Sequence, residues 1–378
     1  MSNLVEDLWN CIPQEVLASV FSFLPVKDRY TALHVCKKWA AAASTSSIWS
    51  FTEFSCDFVN EDEAHMLGKL QLYLGHIRHL KIILHQSFEL NRRLVTRILD
   101  MLAWKSSKLQ ALCIICQGKS PYFYSGQDIL QSVRRLCQSV QKIDLHYVDF
   151  RQMPFTLDNG TMILLASSSP NLHTLLINNR APGLIILKPE TMVEVVRVCP
   201  KLSVLGLYYA NLSQDLFQEL VKPSRGPFKC LDVYYKGLDK RIPEEAWAMV
   251  SKRHPQFHVK LEFASKVPIY KVSGILKATV PITSLQFNSF NHAPDQMRLV
   301  TNCCSPTLER LILCAAPSDA LNSSLIQLAR SCLHLKELHC YCVVSQAVID
   351  AFLLHCPGLR SYTLSTEVLS SIPPIMSS

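Results

Sequence analysis

The stretch LHTLLI (172–177) places apolar residues at its first, fourth and sixth positions, and LSVLGL (202–207) repeats the spacing. Earlier in the chain the same phrase occurs as IRHLKI (77–82), LQALCI (109–114) and VQKIDL (140–145). Later copies are FKCLDV (228–233), ITSLQF (282–287), LERLIL (308–313), LKELHC (335–340) and LRSYTL (359–364), with a blurred one, VKLEF (259–263). Successive starts lie about 24 to 32 residues apart, the spacing of a leucine-rich repeat with somewhat long units.

The segments between the phrases read as amphipathic helices. DILQSVRRLCQSV (128–140) lines Ile129, Val133, Leu136 and Val140 on one face with Asp128 as a cap, and SQAVIDAFLLHC (345–356) does so with Val348, Phe352 and Cys356. CPKL (199–202) and CPGL (356–359) put a proline where a helix must stop before a strand. The expected fold class is therefore α/β: a curved solenoid of about eleven repeats over 55–364, parallel strands on its concave side, with a flexible tail over 365–378.

Alternation along a strand assigns faces. The consensus apolar positions point into the core. The residues between them form the concave wall: Lys142, Asp144, His146, Thr174, Asn178, Tyr208, Asp232, Tyr234, Lys260, Glu262, Gln286, Asn288, Arg310, Glu337, His339 and Tyr341. Of these, His146, Asn178, Tyr208, Tyr234, Asn288, Arg310, His339 and Tyr341 are the candidate contacts to a protein ligand, because aromatic residues and arginine dominate binding energy.

The N-terminal stretch CIPQEVLASVFSFLPVKDRYTALHVCKKW (11–39) is different. Pro13 suits a first helical turn, and Val16, Leu17, Val20, Phe21 and Leu24 follow at helical spacing. Pro25 stops that helix and Asp28 can cap a second, carrying Ala32, Val35, Cys36 and Trp39 as one stripe. Ser47 can cap a short third helix with Ile48 and Trp49. Three short helices bury little surface by themselves, so their surplus apolar surface must dock on the repeats or on a partner.

The spacing Ile12-Pro13-x-Glu15-Val16-Leu17, Val20-Phe21-x-Phe23-Leu24, Asp28, Val35-Cys36-Lys37-x-Trp39 and Trp49 resembles an F-box, with Ile12 where a leucine is usual. The unit expected over 8–54 joined to leucine-rich repeats is similar to the F-box/leucine-rich-repeat family. That resemblance implies a substrate receptor of an SCF ubiquitin ligase, which binds the Skp adaptor and through it a cullin-RING scaffold. It implies adaptor contacts from Ile12, Pro13, Glu15, Val16, Leu17, Val20, Phe21 and Leu24. Val35, Cys36, Trp39 and Trp49 would be shared between contact and internal packing. The alternative is a non-enzymatic scaffold or inhibitor whose helices only cap the solenoid.

Composition fits a folded, non-catalytic chain. Its 378 residues are 49% hydrophobic and 18% charged, with a formal net charge of +8 spread along the sequence. NRRLVTR (91–97) and SVRRL (132–136) lack interleaved aromatics and read as solvated helix faces rather than a nucleic-acid patch. No apolar run is long enough to span a membrane, no secretory leader opens the sequence, and no prenylation cysteine closes it. Fifteen cysteines in apolar periodic segments read as buried thiols of a reduced protein of the cytosol or nucleus.

Neither Cys113 and Cys116 nor the group Cys332, His334, His339, Cys340 and Cys342 has the geometry of a zinc site. Strand alternation turns the members of each set to opposite faces. The 11 glycines form no phosphate loop, and no G-x-S-x-G elbow occurs, so no cofactor and no catalytic residue is expected.

Overall fold

The computed structural model describes residues 11–57, 70–105, 108–119, 121, 124–181, 186–237, 241–289 and 292–367. The chain forms two compact units. One comprises Met1–Leu175, Ala181–Ile186 and Val198–Pro200, and the other Leu176–Arg180, Leu187–Arg197 and Lys201–Ser378.

Among the described residues the first unit begins with the short helices α1 (Gln14–Ser22), α2 (Val26–Ala32), α3 (Lys37–Ala43) and α4 (Ser46–Ser50). Pro13 and Pro25 both stand immediately before a helix, with φ of -57° and -56°. Pro25, not Asp28, therefore occupies the cap of the second helix, and Asp28 lies in its first turn, where a carboxylate favours the positive end of the helix dipole. The single second helix expected through Trp39 is two. Cys36 is extended at the cap of α3, and its Sγ accepts from the Trp39 amide at 3.4 Å. The alanines that follow permit close backbone approach: Ala42 and Ala43 are fully buried.

Arg29 ties this helical unit to the strand that follows. Its buried guanidinium donates to the carbonyls of Ser22 at 2.7 Å, Leu24 at 2.8 Å, Ile48 at 2.6 Å and Phe51 at 2.9 Å. Ser22 and Ile48 lie in the last turns of α1 and α4, whose carbonyls have no intrahelical partner and carry the negative end of the dipole. A buried cation surrounded by such acceptors is stabilised without a carboxylate. Trp49, also buried, donates Nε1 to the Ala43 carbonyl at 2.9 Å and stacks on Tyr73 with centroids 4.4 Å apart.

Strand β1 (Phe51–Cys56) begins at the residue after α4 and pairs in parallel with β2 (His79–His85). Then come α5 (Glu89–Lys105), β3 (Ala111–Gln117), α6 (Gln127–Cys137), β4 (Tyr147–Gln152) and α7 (Asn159–Ser168). Leu80, Ile82, Leu84, Leu112 and Ile114 of the strands and Val95, Leu99, Val133 and Leu136 of the helices are all buried, each worth roughly 1.5–3 kcal/mol on removal from water.

One expected strand is displaced. VQKIDL (140–145) lies before β4, whose own phrase is LHYVDF (145–150). Both phrases satisfy the same pattern, sharing Leu145. The amides of His146 and Tyr147 both donate to the Gln110 carbonyl, at 2.7 and 3.1 Å, and this settles the register. Consequently α6 ends at Cys137, Val140 is 87% exposed, and Lys142 turns the chain at a φ of 46°. Lys142 and Asp144 are not strand positions; Tyr147 and Asp149 are.

The same double donation recurs. Gln110 and Ala111 donate to Arg78, His173 and Thr174 to His146, Lys229 and Cys230 to Ser203, Lys336 and Glu337 to Glu309, and Arg360 and Ser361 to Lys336. Each of these six strands thus starts locked to one carbonyl of the repeat before it.

The strand β5 (Thr174–Leu176) and helix α8 (Pro189–Val198) lie at the division between the units. In the second unit the order is β6 (Val204–Tyr208), α9 (Gln214–Leu220), β7 (Cys230–Tyr235), α10 (Glu244–Arg253), β8 (His258–Phe263) and α11 (Ile269–Ile275). It continues through β9 (Ile282–Phe287), α12 (Ala293–Cys304), β10 (Arg310–Leu313), α13 (Asp319–Ser331), β11 (Glu337–Val343), α14 (Gln346–His355) and β12 (Ser361–Ser365). The strands are parallel and pair in sequence order. The blurred VKLEF copy is β8. This is the strand–helix repeat of the leucine-rich-repeat fold. The expected C-terminal tail from 368 onward lies outside the described residues.

The helix-ending cysteines are built into the repeats. Cys356 Sγ lies 3.5 Å from the carbonyls of Ala329 and Cys332, and Cys199 Sγ lies 3.5 Å from that of Ser169. Burial pushes the thiols of Cys56, Cys116 and Cys332 up to about 12 and that of Cys137 to about 11. Such thiols are protonated and unreactive at neutral pH. Among the described residues no helix is long and apolar enough to cross a membrane.

Candidate functional site

Two surfaces collect the residues singled out in the sequence. The first is the outer face of α1. Val16 is 49% exposed, Val20 47% and Phe23 86%, and from beyond α2 Val35 is 55% exposed. The first three lie at i, i+4 and i+7, one above another on a single face. Pro13, Glu15 and Cys36 are exposed as well, and Ile12, Leu24 and Trp39 are half-buried.

Leu17 and Phe21 are corrected, and Trp49, left open between contact and internal packing, falls to packing. All three are buried inside the helical unit, with Phe21 packed on Trp39 at 4.9 Å between ring centroids. They supply the interior that holds the outer face, not the contact itself. Phe23, quoted in the motif but not expected as a contact, is the most exposed side chain of the face. Its spacing from Val16 and Val20 was the available signal.

The second surface is the sheet face away from the apolar core. In the second unit, pairing sets Tyr208, Tyr234, Glu262, Gln286, Ile312, His339 and Thr363 in one row across seven strands. Burial varies along this wall. Tyr208, Tyr234, Asn178 and Gln286 are buried, whereas Asn288, Arg310, His339 and Tyr341 are half-exposed.

Gly206 is the cause at one end. It leaves a gap through which the Asn178 amide lies across β6 and donates to Asp232 Oδ1 at 2.9 Å. A Cβ at Gly206 would collide with that amide and come within 2.8 Å of Leu176 Cδ2. Beyond it, Arg180 reaches across β6 and β7, its Nε 2.8 Å from Glu262 Oε1. Asn288 Nδ2 also donates to Glu262 Oε1, at 2.8 Å, and to the Phe263 carbonyl at 3.0 Å. The Tyr208 hydroxyl donates to Asn179 Oδ1. Lys236 Nζ lies 5.1 Å from the Tyr208 ring centroid and 6.0 Å from that of Tyr234. Burial raises the pKa of both phenols; the Glu262 carboxylate raises that of Tyr234 further, and Arg180 opposes it. Arg180, Lys236 and Gly206 escaped the sequence reading because none stands at a consensus position.

Further along the wall, Arg310 Nε pairs with Glu337 Oε2 at 2.7 Å and His339 Nδ1 lies 2.9 Å from Thr363 Oγ1. Burial and the nearby Arg310 lower the His339 pKa, with Glu337 opposing. In the first unit His146 lies beside β4 against His173, ring centroids 5.6 Å apart. The basic groups at 91–97 and 132–136 are engaged locally: Arg93 with Glu89 at 2.6 Å and Arg135 with Asp100 at 2.9 Å. No group of three or more potential metal ligands is assembled among the described residues.

A helical unit with an outward apolar face, running without a spacer into leucine-rich repeats, defines an F-box protein of the leucine-rich-repeat class. The F-box-like family matches residues 9–52. The chain is 36% identical to human F-box/LRR-repeat protein 8 over 93% of its own length and 94% of that protein. It is 37% identical to the mouse protein of that name over 97% of both chains. Bovine F-box/LRR-repeat protein 21 is 23% identical over 96% of this chain and 83% of its own. The chain therefore belongs to the F-box/LRR-repeat family.

Proposed function

We propose that this chain is the substrate-recognition subunit of an SCF ubiquitin ligase. The outer face of α1 binds the Skp adaptor, which joins it to a cullin-RING scaffold. The repeats bind target proteins for ubiquitination and proteasomal degradation. The chain itself carries no covalent step. It acts by tethering, raising the effective concentration of a target near the conjugating enzyme. A reducing compartment, cytosol or nucleus, belongs to the same reading and is supported by the buried thiols.

The observation that carries the proposal is the exposure of Val16, Val20 and Phe23 on a helix whose opposite side is already filled by Leu17 and Phe21. A helix that only capped the repeats would turn its apolar residues inward. Arg29 and the Trp49–Tyr73 stack fasten the unit to the chain that follows, and this face is left over.

The test is capture of purified Skp adaptor by the full chain. Wild type is expected to retain it, and Val20→Asp and Phe23→Asp to lose it while keeping wild-type melting. Capture undiminished by both substitutions would overturn the adaptor reading.

A further inference from the structure

We propose that Tyr234, Glu262 and Asn288 form a pocket for a basic side chain of a target protein, and that Arg180 is an internal stand-in which the target displaces. The proposal rests on the receptor reading for its claim that the basic side chain belongs to a target.

The chemistry of the cluster selects a cation. A phenol ring and a carboxylate together attract a guanidinium or an ammonium, the ring through its negative face and the carboxylate through charge and hydrogen bonds. The chain supplies its own demonstration. Arg180 is seated on Glu262 at 2.8 Å, and Lys236 Nζ lies 6.0 Å from the Tyr234 ring centroid.

The carboxylate is held independently of its occupant. Asn288 donates to Glu262 at 2.8 Å and is itself fixed by the Gln286 amide at 2.9 Å. Glu262 therefore stays oriented when Arg180 leaves, as a preformed site requires. Arg180, by contrast, lies outside any strand or helix. It can swing away without breaking a ladder hydrogen bond. Its side chain remains 32% exposed and that of Glu262 21%, so solvent reaches the pair. Partly exposed ion pairs of this kind are weak enough to be exchanged.

An occupied pocket binds an external ligand more weakly by the fraction of time it stands open. Removing the stand-in should therefore strengthen binding, and removing the carboxylate should weaken it. The experiment is a fluorescence titration of full-length wild type, Arg180→Gln and Arg180→Gln/Glu262→Gln with labelled hexa-arginine, using hexa-glutamate as control. Arg180→Gln is expected to bind hexa-arginine at least tenfold tighter than wild type. The double variant is expected to fall back to wild-type affinity or below, and hexa-glutamate to bind none of them.

Equal affinity of wild type and Arg180→Gln, or indifference to Glu262→Gln, would overturn the pocket. So would an Arg180→Gln chain that fails to fold, since Arg180 would then serve packing rather than occupancy. Adaptor capture measured on the same preparations separates the two proposals, because the adaptor face lies in residues 13–35. Loss of capture with intact peptide binding removes the ligase reading alone; the reverse removes the pocket alone.

Discussion

The Arg29 guanidinium donates to the Phe51 carbonyl at 2.9 Å, joining the second helix to the first residue of the first strand. The same group also serves three other carbonyls. Arg29→Ala leaves four acceptors without this donor and is expected to destabilise the chain by roughly 2–4 kcal/mol, read by urea unfolding. Arg29→Lys should rescue little, since an ammonium offers one compact point and not a planar fork. A variant as stable as wild type would refute the joining role.

The two sides of α1 should separate in mutation. Leu17→Ala empties a fully buried site and is expected to cost about 2–5 kcal/mol. Val20→Ala on the outer face should stay within about 0.5 kcal/mol of wild type. Thermal melting of both variants checks this; equal losses would mean that the outer face is packed after all.

Gly206→Ala forces a methyl against the Asn178 amide and is expected to destabilise by about 1–3 kcal/mol. Asn178→Ala removes the obstacle. The double variant should therefore be less destabilised than the sum of the singles. A strictly additive cycle would show that the two residues do not meet.

Asp158 caps α7, accepting from the Thr161 amide at 2.9 Å and from its hydroxyl at 2.6 Å. Burial works against its charge, but those bonds and the Arg134 guanidinium outweigh it and hold its pKa below the ordinary 3.8. The unfolded chain therefore binds the proton first. The stabilisation is complete above pH 3.8 and fades as pH falls through the lower folded value. Asp158→Asn, which keeps an acceptor without the charge, should lose this acid dependence, and Asp158→Ala should cost about 1 kcal/mol at neutral pH. Melting as a function of pH distinguishes them.

The repeat architecture was legible because burial imposes the apolar spacing on every strand. The helical unit was legible from its prolines and its apolar stripes. What failed had physical causes. The apolar arc of α1 is wide, taking in Val16, Val20, Leu17 and Phe21, so the pattern cannot say whether Leu17 or Val16 faces the interior. Around β4 two phrases share Leu145, and only the backbone pairing to Gln110 chooses between them. The burial along the wall was not legible because it depends on a missing side chain, Gly206, and on Arg180 outside any repeat position.

The paired amides that open β3, β4, β5, β7, β11 and β12 fasten each of them to a single carbonyl of the preceding repeat. Length variation cannot be taken up at that point without shifting the alignment of every later turn. Inserted or deleted residues are tolerated only in the return path through the helices and their connections. Evolution of this chain is thus free to stretch its outer rim while the inner ladder keeps strict time.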